Sequence, residues 1–232
     1  MLRVKILSSM VLCGVFFGGC GQKSNREAGD PEVNFRPTES APVATPLPVD
    51  KENILFFGTS LTAGLGLEQN EAYPALIQKK IDSLNLPYQV VNGGLSGETS
   101  AAGKSRVDWL LKKPVKVFVL ELGANDGLRG IPVAQTTTNL QAIIDKVKEK
   151  YPDAKLVLLG MQMPPNMGKS YTADFKAMFE KLAKKNDMVF VPFLLDGVGG
   201  VAQLNQSDGV HPTAEGQKIM AENVWVKLKD IL

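Results

Sequence analysis

The single histidine of this chain, His211, sits in the run Asp208, Gly209, Val210, His211, Pro212, and far upstream Ser60 closes a short apolar run in the turn Gly58, Thr59, Ser60, Leu61. A serine hydroxyl is a weak nucleophile at neutral pH until a neighbouring base takes its proton. Imidazole is the one side chain whose unperturbed pKa suits that task without large tuning. Ser60 and His211 therefore point to nucleophilic attack on an acyl carbon, and a site of that kind must use His211 as its base.

Residues so far apart can meet only if the fold converges on them. Apolar runs at residues 54–57, 89–91, 115–120, 156–159 and 189–191 read as strands, and none alternates strictly between apolar and polar. Such runs suit strands buried on both faces, as in a parallel sheet covered by helices. Between them Leu140, Ile143, Ile144 and Val147 recur at helical spacing, as do Phe175, Met178, Phe179 and Leu182, and more weakly Ile77, Ile81 and Leu84. Each set forms one apolar stripe. A last helix is expected to begin near Pro212 and Thr213, with proline in its first turn, and to bury Ile219, Met220, Val224 and Leu228. Trp109 and Trp225 fall on predicted helices and are expected to pack there. The strand–helix alternation predicts an α/β fold: a three-layer α/β/α sandwich around a flavodoxin-like, doubly wound five-stranded parallel sheet. Ligands of such sheets bind outside the carboxyl ends of the strands, where strand order reverses. That rule selects the loops at residues 58–61, 92–99, 123–126 and 208–211.

With 232 residues, 44% hydrophobic and 22% charged, the chain has length for one sizeable core once its N-terminus is set aside. That N-terminus runs from Arg3 and Lys5 through an apolar stretch to Phe17, then Gly18, Gly19 and Cys20. It reads as a secretory signal peptide, too short for a membrane span of about 20 apolar residues. Gly19 before Cys20 resembles a bacterial lipoprotein box, with Phe17 where leucine is usual, so Cys20 is expected to carry lipid; the competing reading is ordinary cleavage near Gly18 and Gly19. Residues 1–19 are then the signal peptide and residues 20–52 a linker carrying Pro31, Pro37, Pro42, Pro46 and Pro48, with the folded domain at 53–232. A tether of this length spans roughly 30 Å. Cys13 leaves with the peptide, so disulfides are excluded as the source of stability. The formal charge of +2 is matched by Arg3 and Lys5, which leaves the exported chain near neutral and gives nucleic-acid binding no support. No metal-ligand pattern is present, no Gly-Lys-Ser/Thr follows Gly64 or Gly66, and no cofactor is expected.

Four blocks, each at the end of a predicted strand, resemble the SGNH, or GDSL, hydrolase family, most closely its thioesterase and arylesterase branch. They are residues 57–64 around Ser60; residues 92–100, with Gly93, Gly94, Gly97 and Thr99; residues 121–130, which include Glu121, Asn125, Asp126 and Arg129; and Asp208 to Pro212. The similarity spans residues 53–230 or so. The resemblance implies Ser60 as nucleophile, His211 as general base and Asp208 as the carboxylate that fixes the imidazole tautomer, with Gly209 allowing the tight turn between them. It assigns the oxyanion to the backbone N–H groups of Ser60 and Gly97 and the side-chain amide of Asn125. It places Met161, Met163, Pro164 and Pro165 beside the acyl group. One departure is plain: the aspartate usual before the nucleophile is Thr59, which is expected to change loop hydrogen bonding without abolishing attack.

Taken singly, the same residues have plainer readings: Ser60 as a helix N-cap before Ala63, Asn125 and Asp126 as a turn, Asp208 as a cap, and the methionines as packing beneath a loop. Taken together they predict an exported, cofactor-independent serine ester hydrolase, monomeric and lipid-anchored in a bacterial envelope at the periplasm or outer membrane. Its expected substrate is a small acyl ester or thioester, or a lysophospholipid. The rival readings are an O-deacetylase of envelope carbohydrate and a surface lipoprotein that binds acyl or glycan ligands without turnover.

Overall fold

The computed structural model describes residues 50–232; the expected signal peptide, Cys20 and the expected linker through residue 49 lie outside the described residues. Five strands, β1 (Glu52–Gly58), β2 (Tyr88–Asn92), β3 (Val117–Glu121), β4 (Lys155–Leu159) and β5 (Val189–Val191), pair in parallel in the order β2-β1-β3-β4-β5. This is the doubly wound order expected, and it reverses direction at β1 and β3. The β1 stretch from Ile54 to Gly58, all of β3 and the β4 stretch from Leu156 to Leu159 are buried on both faces, whereas edge strand β2 keeps Gln89 and Asn92 exposed.

The helices are α1 (Ser60–Ala63), α2 (Tyr73–Ser83), α3 (Ser100–Leu110), α4 (Ala124–Leu128), α5 (Val133–Lys150), α6 (Lys169–Asn186) and α7 (Ala214–Leu228). Helix α2 packs on α7, while α3 packs on α5 and α5 on α6, giving the two outer layers. The stripes of α5 and α6 are buried as their spacing predicts. On α2 the buried stripe is Tyr73, Ile77 and Ile81; Leu84 lies past the helix end and is 58% exposed. Helix α7 is capped by Thr213, whose hydroxyl accepts from Gly216 N–H at 3.3 Å, so Pro212 precedes the cap and does not occupy the first turn. Its buried side chains include Met220, Val224, Trp225 and Leu228, with Ile219 half-buried.

Trp109 departs from expectation. Helix α3 buries Ser100, Gly103 and Val107, and Trp109 is roughly 200° around the helix from Val107, which leaves it 65% exposed. Phe118, fully buried in central strand β3, stands 5.9 Å from the Phe57 ring. Truncating such a side chain removes both its transfer energy and its packing partners. Phe118→Ala is expected to cost about 3–5 kcal/mol, seen as a lower denaturant midpoint at unchanged slope.

Candidate active site

Strands β1 and β3 run side by side with Gly58 opposite Glu121, so the loops leaving their carboxyl ends start as neighbours. After β1 the chain turns at once into α1. Thr59 caps that helix, its hydroxyl accepting from Leu61 N–H at 3.4 Å, and Gly64 ends it with φ of 73°. The cap role read for Ser60 thus falls to Thr59, and Ser60 is the first helical residue, 9% exposed.

The structure brings Ser60, His211 and Asp208 into a row. His211 Nε2 lies 2.9 Å from Ser60 Oγ, and Nδ1 lies 2.6 Å from Asp208 Oδ2. Asp208 Oδ1 also accepts the backbone N–H groups of His211 at 3.0 Å and Val210 at 2.9 Å. The His211 N–H, the imidazole N–H and the Val210 N–H, in that order, hold the Asp208 carboxyl well below the usual carboxylate range. A carboxylate can only accept, so the imidazole proton sits on Nδ1 and Nε2 is left as a base facing the serine hydroxyl. Gly209, at φ of 69°, lets the chain reverse between the two residues.

The loop carrying His211 is held from both sides. Gln206 N–H donates to the His211 carbonyl at 2.7 Å, and the Gln206 amide donates to the carbonyls of Leu65 and Pro212 at 2.8 and 2.9 Å. Buried Gln217 of α7 accepts from Tyr73 N–H at 2.8 Å and donates to the Leu61 carbonyl at 3.3 Å. The histidine loop is thereby tied to the serine turn across the sheet edge.

Residues 93–99 close over the same edge. Leu95 N–H donates to the Gly58 carbonyl at 2.8 Å, and Gly94 lies so near α1 that a Cβ there would stand 2.3 Å from Ala63 N. Gly97 has φ of 77° and is exposed. Asn125, in α4, donates one amide hydrogen to the Glu98 carbonyl at 3.0 Å, which leaves the second for a ligand. Among the described residues neither Ser60 N–H nor Gly97 N–H donates to any protein acceptor. Three unspent donors thus belong to three segments that follow β1, β2 and β3: the first residue of α1, the Gly97 loop and the first turn of α4.

Met161 and Met163 are buried, and Met163 packs on α4, where its sulfur would stand 2.3 Å from a Cβ at Gly127; Pro164 and Pro165 are exposed. Both methionine side chains are thus packed inside the fold, and of these four residues the exposed ones are the two prolines. The apolar side chains standing out beside the site are Leu65, Leu95, Leu128 and Val210, each between 45% and 51% exposed.

Three buried carboxylates escaped the sequence reading: Glu98, Asp126 and Glu121. Asp126 of α4, read there as a turn residue, is 1% exposed and accepts from the Ser100 N–H at 2.8 Å and the Ser100 hydroxyl at 2.5 Å. It pins the start of α3 beside Asn125. Glu121 ends β3 fully buried, and its Oε2 accepts from Thr59 N–H at 2.8 Å, the Thr59 hydroxyl at 3.0 Å and the Thr62 hydroxyl at 2.8 Å. Thr62 in turn shares a 2.8 Å hydrogen bond with Tyr73 Oη. The available signal was an acidic residue closing an otherwise wholly apolar strand run.

Comparison with known proteins follows the same outline. The profile of the GDSL-like lipase/acylhydrolase family matches residues 56–219. The chain is 42% identical to the esterase TesA of Pseudomonas aeruginosa over 183 residues, covering 78% of this chain and 90% of that protein. It is 38% identical to thioesterase 1/protease 1/lysophospholipase L1 of Escherichia coli K12, covering 78% and 85%. Among solved structures, the psychrotrophic esterase EstA from a Pseudoalteromonas species, inhibited by monoethylphosphonate, superposes with a TM-score of 0.72 at 32% identity, covering 78% of this chain and 98% of that one.

Burial pushes the Glu121 carboxyl up to about 7 against the pull of the Thr59 and Thr62 donors, from an ordinary value of 4.5. The same burial, and then the Glu121 charge, raise the Tyr73 phenol well above its usual range. Because the folded value of Glu121 is raised, its contribution to stability is complete below pH 4.5 and is lost as pH climbs through 7. Glu121→Gln cannot titrate. The stability of the native chain relative to that variant, from chemical denaturation, is expected to fall by up to about 3 kcal/mol between pH 5 and pH 8. A pH-independent difference would contradict it.

Proposed function

This chain belongs to the GDSL-like lipase/acylhydrolase family, and on that footing we propose that Ser60 is its nucleophile, His211 its general base and Asp208 the carboxylate behind the base. It is a serine esterase that hydrolyses acyl esters. The observation that carries the assignment is the unbroken row from Ser60 Oγ through His211 to Asp208, with spacings of 2.9 and 2.6 Å.

The reaction follows from that row. Ser60 Oγ attacks the acyl carbon while its proton passes to His211 Nε2, and the imidazolium is stabilised by Asp208. Negative charge that develops on the carbonyl oxygen is met by the N–H groups of Ser60 and Gly97 and the free amide hydrogen of Asn125. The tetrahedral intermediate collapses with transfer of the Nε2 proton to the departing alkoxide or thiolate, and water, deprotonated by His211, then releases the acid from the acyl-serine.

Several observations narrow the substrate. Leu65, Leu95, Leu128 and Val210 present apolar surface around an open site whose Asp208 and Gly97 are exposed. That favours an acyl chain over an acetylated sugar, whose hydroxyls would leave the leucines wet. The named activities of the relatives, esterase and thioesterase/lysophospholipase, fit the same class. The substrate proposed is therefore a small acyl ester, thioester or lysophospholipid.

The proposal extends to location. The basic start, apolar stretch and Gly18-Gly19-Cys20 sequence support export and lipidation at Cys20, which would hold a monomeric domain on a bacterial envelope membrane. The linker joins the domain at the amino end of β1, at Glu52, remote from the loop ends where Ser60 stands.

A fluorophosphonate probe is expected to label the wild-type chain stoichiometrically and to leave folded Ser60→Ala unlabelled, with hydrolysis of p-nitrophenyl esters lost in parallel. Labelling of Ser60→Ala at another residue would overturn the nucleophile assignment. Cys20→Ser is expected to move the protein from the membrane to the soluble fraction with its esterase activity intact; unchanged partitioning would rule out the anchor.

A further inference from the structure

Arg106 of α3 turns the Nε and Nη2 edge of its guanidinium to the loop that carries Gly97. Its Nε donates to Glu98 Oε1 at 2.6 Å and its Nη2 to Glu98 Oε2, and Nη2 also donates to the Gly93 carbonyl at 2.8 Å. The guanidinium carbon stands 4.7 Å from the centroid of the Phe57 ring in β1. Glu98 is 4% exposed, and among the described residues Arg106 is the only cation paired with it. A carboxylate so buried is tolerable only when paired and hydrogen-bonded, so the two side chains must move as one body.

That body touches both of the non-serine oxyanion donors. Gly97 is the residue before Glu98, and Asn125 fixes its amide on the Glu98 carbonyl at 3.0 Å. Gly97 has no packing of its own, since a Cβ there would meet nothing within 4 Å, and its carbonyl is held by exposed Arg129 at 3.1 Å. With Gly93, Gly94 and Gly97 in one short loop, backbone stiffness cannot hold its shape. Leu95 N–H on the Gly58 carbonyl pins its middle, and Arg106 grips both of its ends, Gly93 and Glu98.

We infer that Arg106 is a positioning residue for acyl transfer, which acts through Glu98 to hold the Gly97 N–H and the Asn125 amide at one oxygen position. The inference rests on the reading of those two groups as oxyanion donors. Donors that must be preorganised lose their effect when displaced by a fraction of their bond length. Lysine cannot replace the function, because a compact ammonium lacks the planar fork that spans both Glu98 oxygens and the Gly93 carbonyl while covering the Phe57 ring.

The test is steady-state hydrolysis of a p-nitrophenyl ester by the full-length protein. Arg106→Lys is expected to lower kcat roughly tenfold, a fraction of the 10²- to 10³-fold loss on deleting one donor, with KM within about twofold. The pair Arg106→Met with Glu98→Gln removes the orphaned charge and so guards against unfolding; it is expected to show the same kcat loss. In an Asn125→Ala background the Arg106→Lys loss is expected to shrink to about threefold or less, because much of what Arg106 holds is gone. Folded Arg106 variants with wild-type kcat, or losses that multiply in full with Asn125→Ala, would overturn the inference. If Asn125→Ala alone keeps wild-type kcat, the oxyanion reading fails first, and the inference fails with it.

Discussion

The register between β1 and β3, with Gly58 opposite Glu121, is the constraint from which the site descends. At that point the strand order reverses, so the loops from the two strands diverge to opposite faces and leave a crevice between them. Ser60 leaves one strand and Asn125 the other. A one-residue slip would turn every buried side chain of β1 to the opposite face, and apolar residues cover both of its faces. The core that stabilises the sheet therefore also sets the distance between nucleophile and oxyanion donor.

Around that crevice the protein places three buried carboxylates, and each ties two elements together. Glu121 joins β3 to the serine turn, Asp126 joins α4 to the start of α3, and Glu98 joins the glycine-rich loop to Arg106. An apolar side chain in these places would pack as well and cost less desolvation, yet it could not fix the direction of a backbone N–H. Carboxylates accept several donors at once, which is what directional positioning requires. Thr59 fits this scheme. Where the family usually has an aspartate, its hydroxyl and N–H both donate to Glu121, so the turn is held through one buried charge instead of two that would repel.

The histidine side of the site is built differently. His211 and Asp208 lie on a surface loop secured by backbone hydrogen bonds and by Gln206, and anchored at buried Asn205 and Pro212. The rigid sheet edge carries the donors and the nucleophile, and the surface loop carries the proton acceptor. Such a division suits a reaction in which the oxyanion position tolerates little error while the imidazole must move a proton in two directions.

How much of this was legible in the chain differs by element, for a physical reason. The buried runs of β1, β3 and β4 and the stripes of α5 and α6 were readable because burial imposes a period on neighbouring residues. The blocks around Ser60, Asn125 and His211 were readable because nucleophile, amide and base are rare in such company. Contacts that join distant segments are not written in either neighbourhood: Glu121 stands out as an acid closing an apolar run, yet nothing local names Thr59 and Thr62 as its partners, Ser100 as that of Asp126, or Gly93 and Glu98 as those of Arg106. The methionines after β4 show the same limit, since only the packing of α4 and α6 decided that Met163 faces Gly127 and Phe175. Trp109 was misread because a helix was recognised and its buried face was not. The amino-acid sequence by itself determined which groups could do chemistry and which segments must be buried. Tertiary structure alone decided which of those groups meet, because a hydrogen bond's direction depends on two backbones at once and on neither sequence neighbourhood separately.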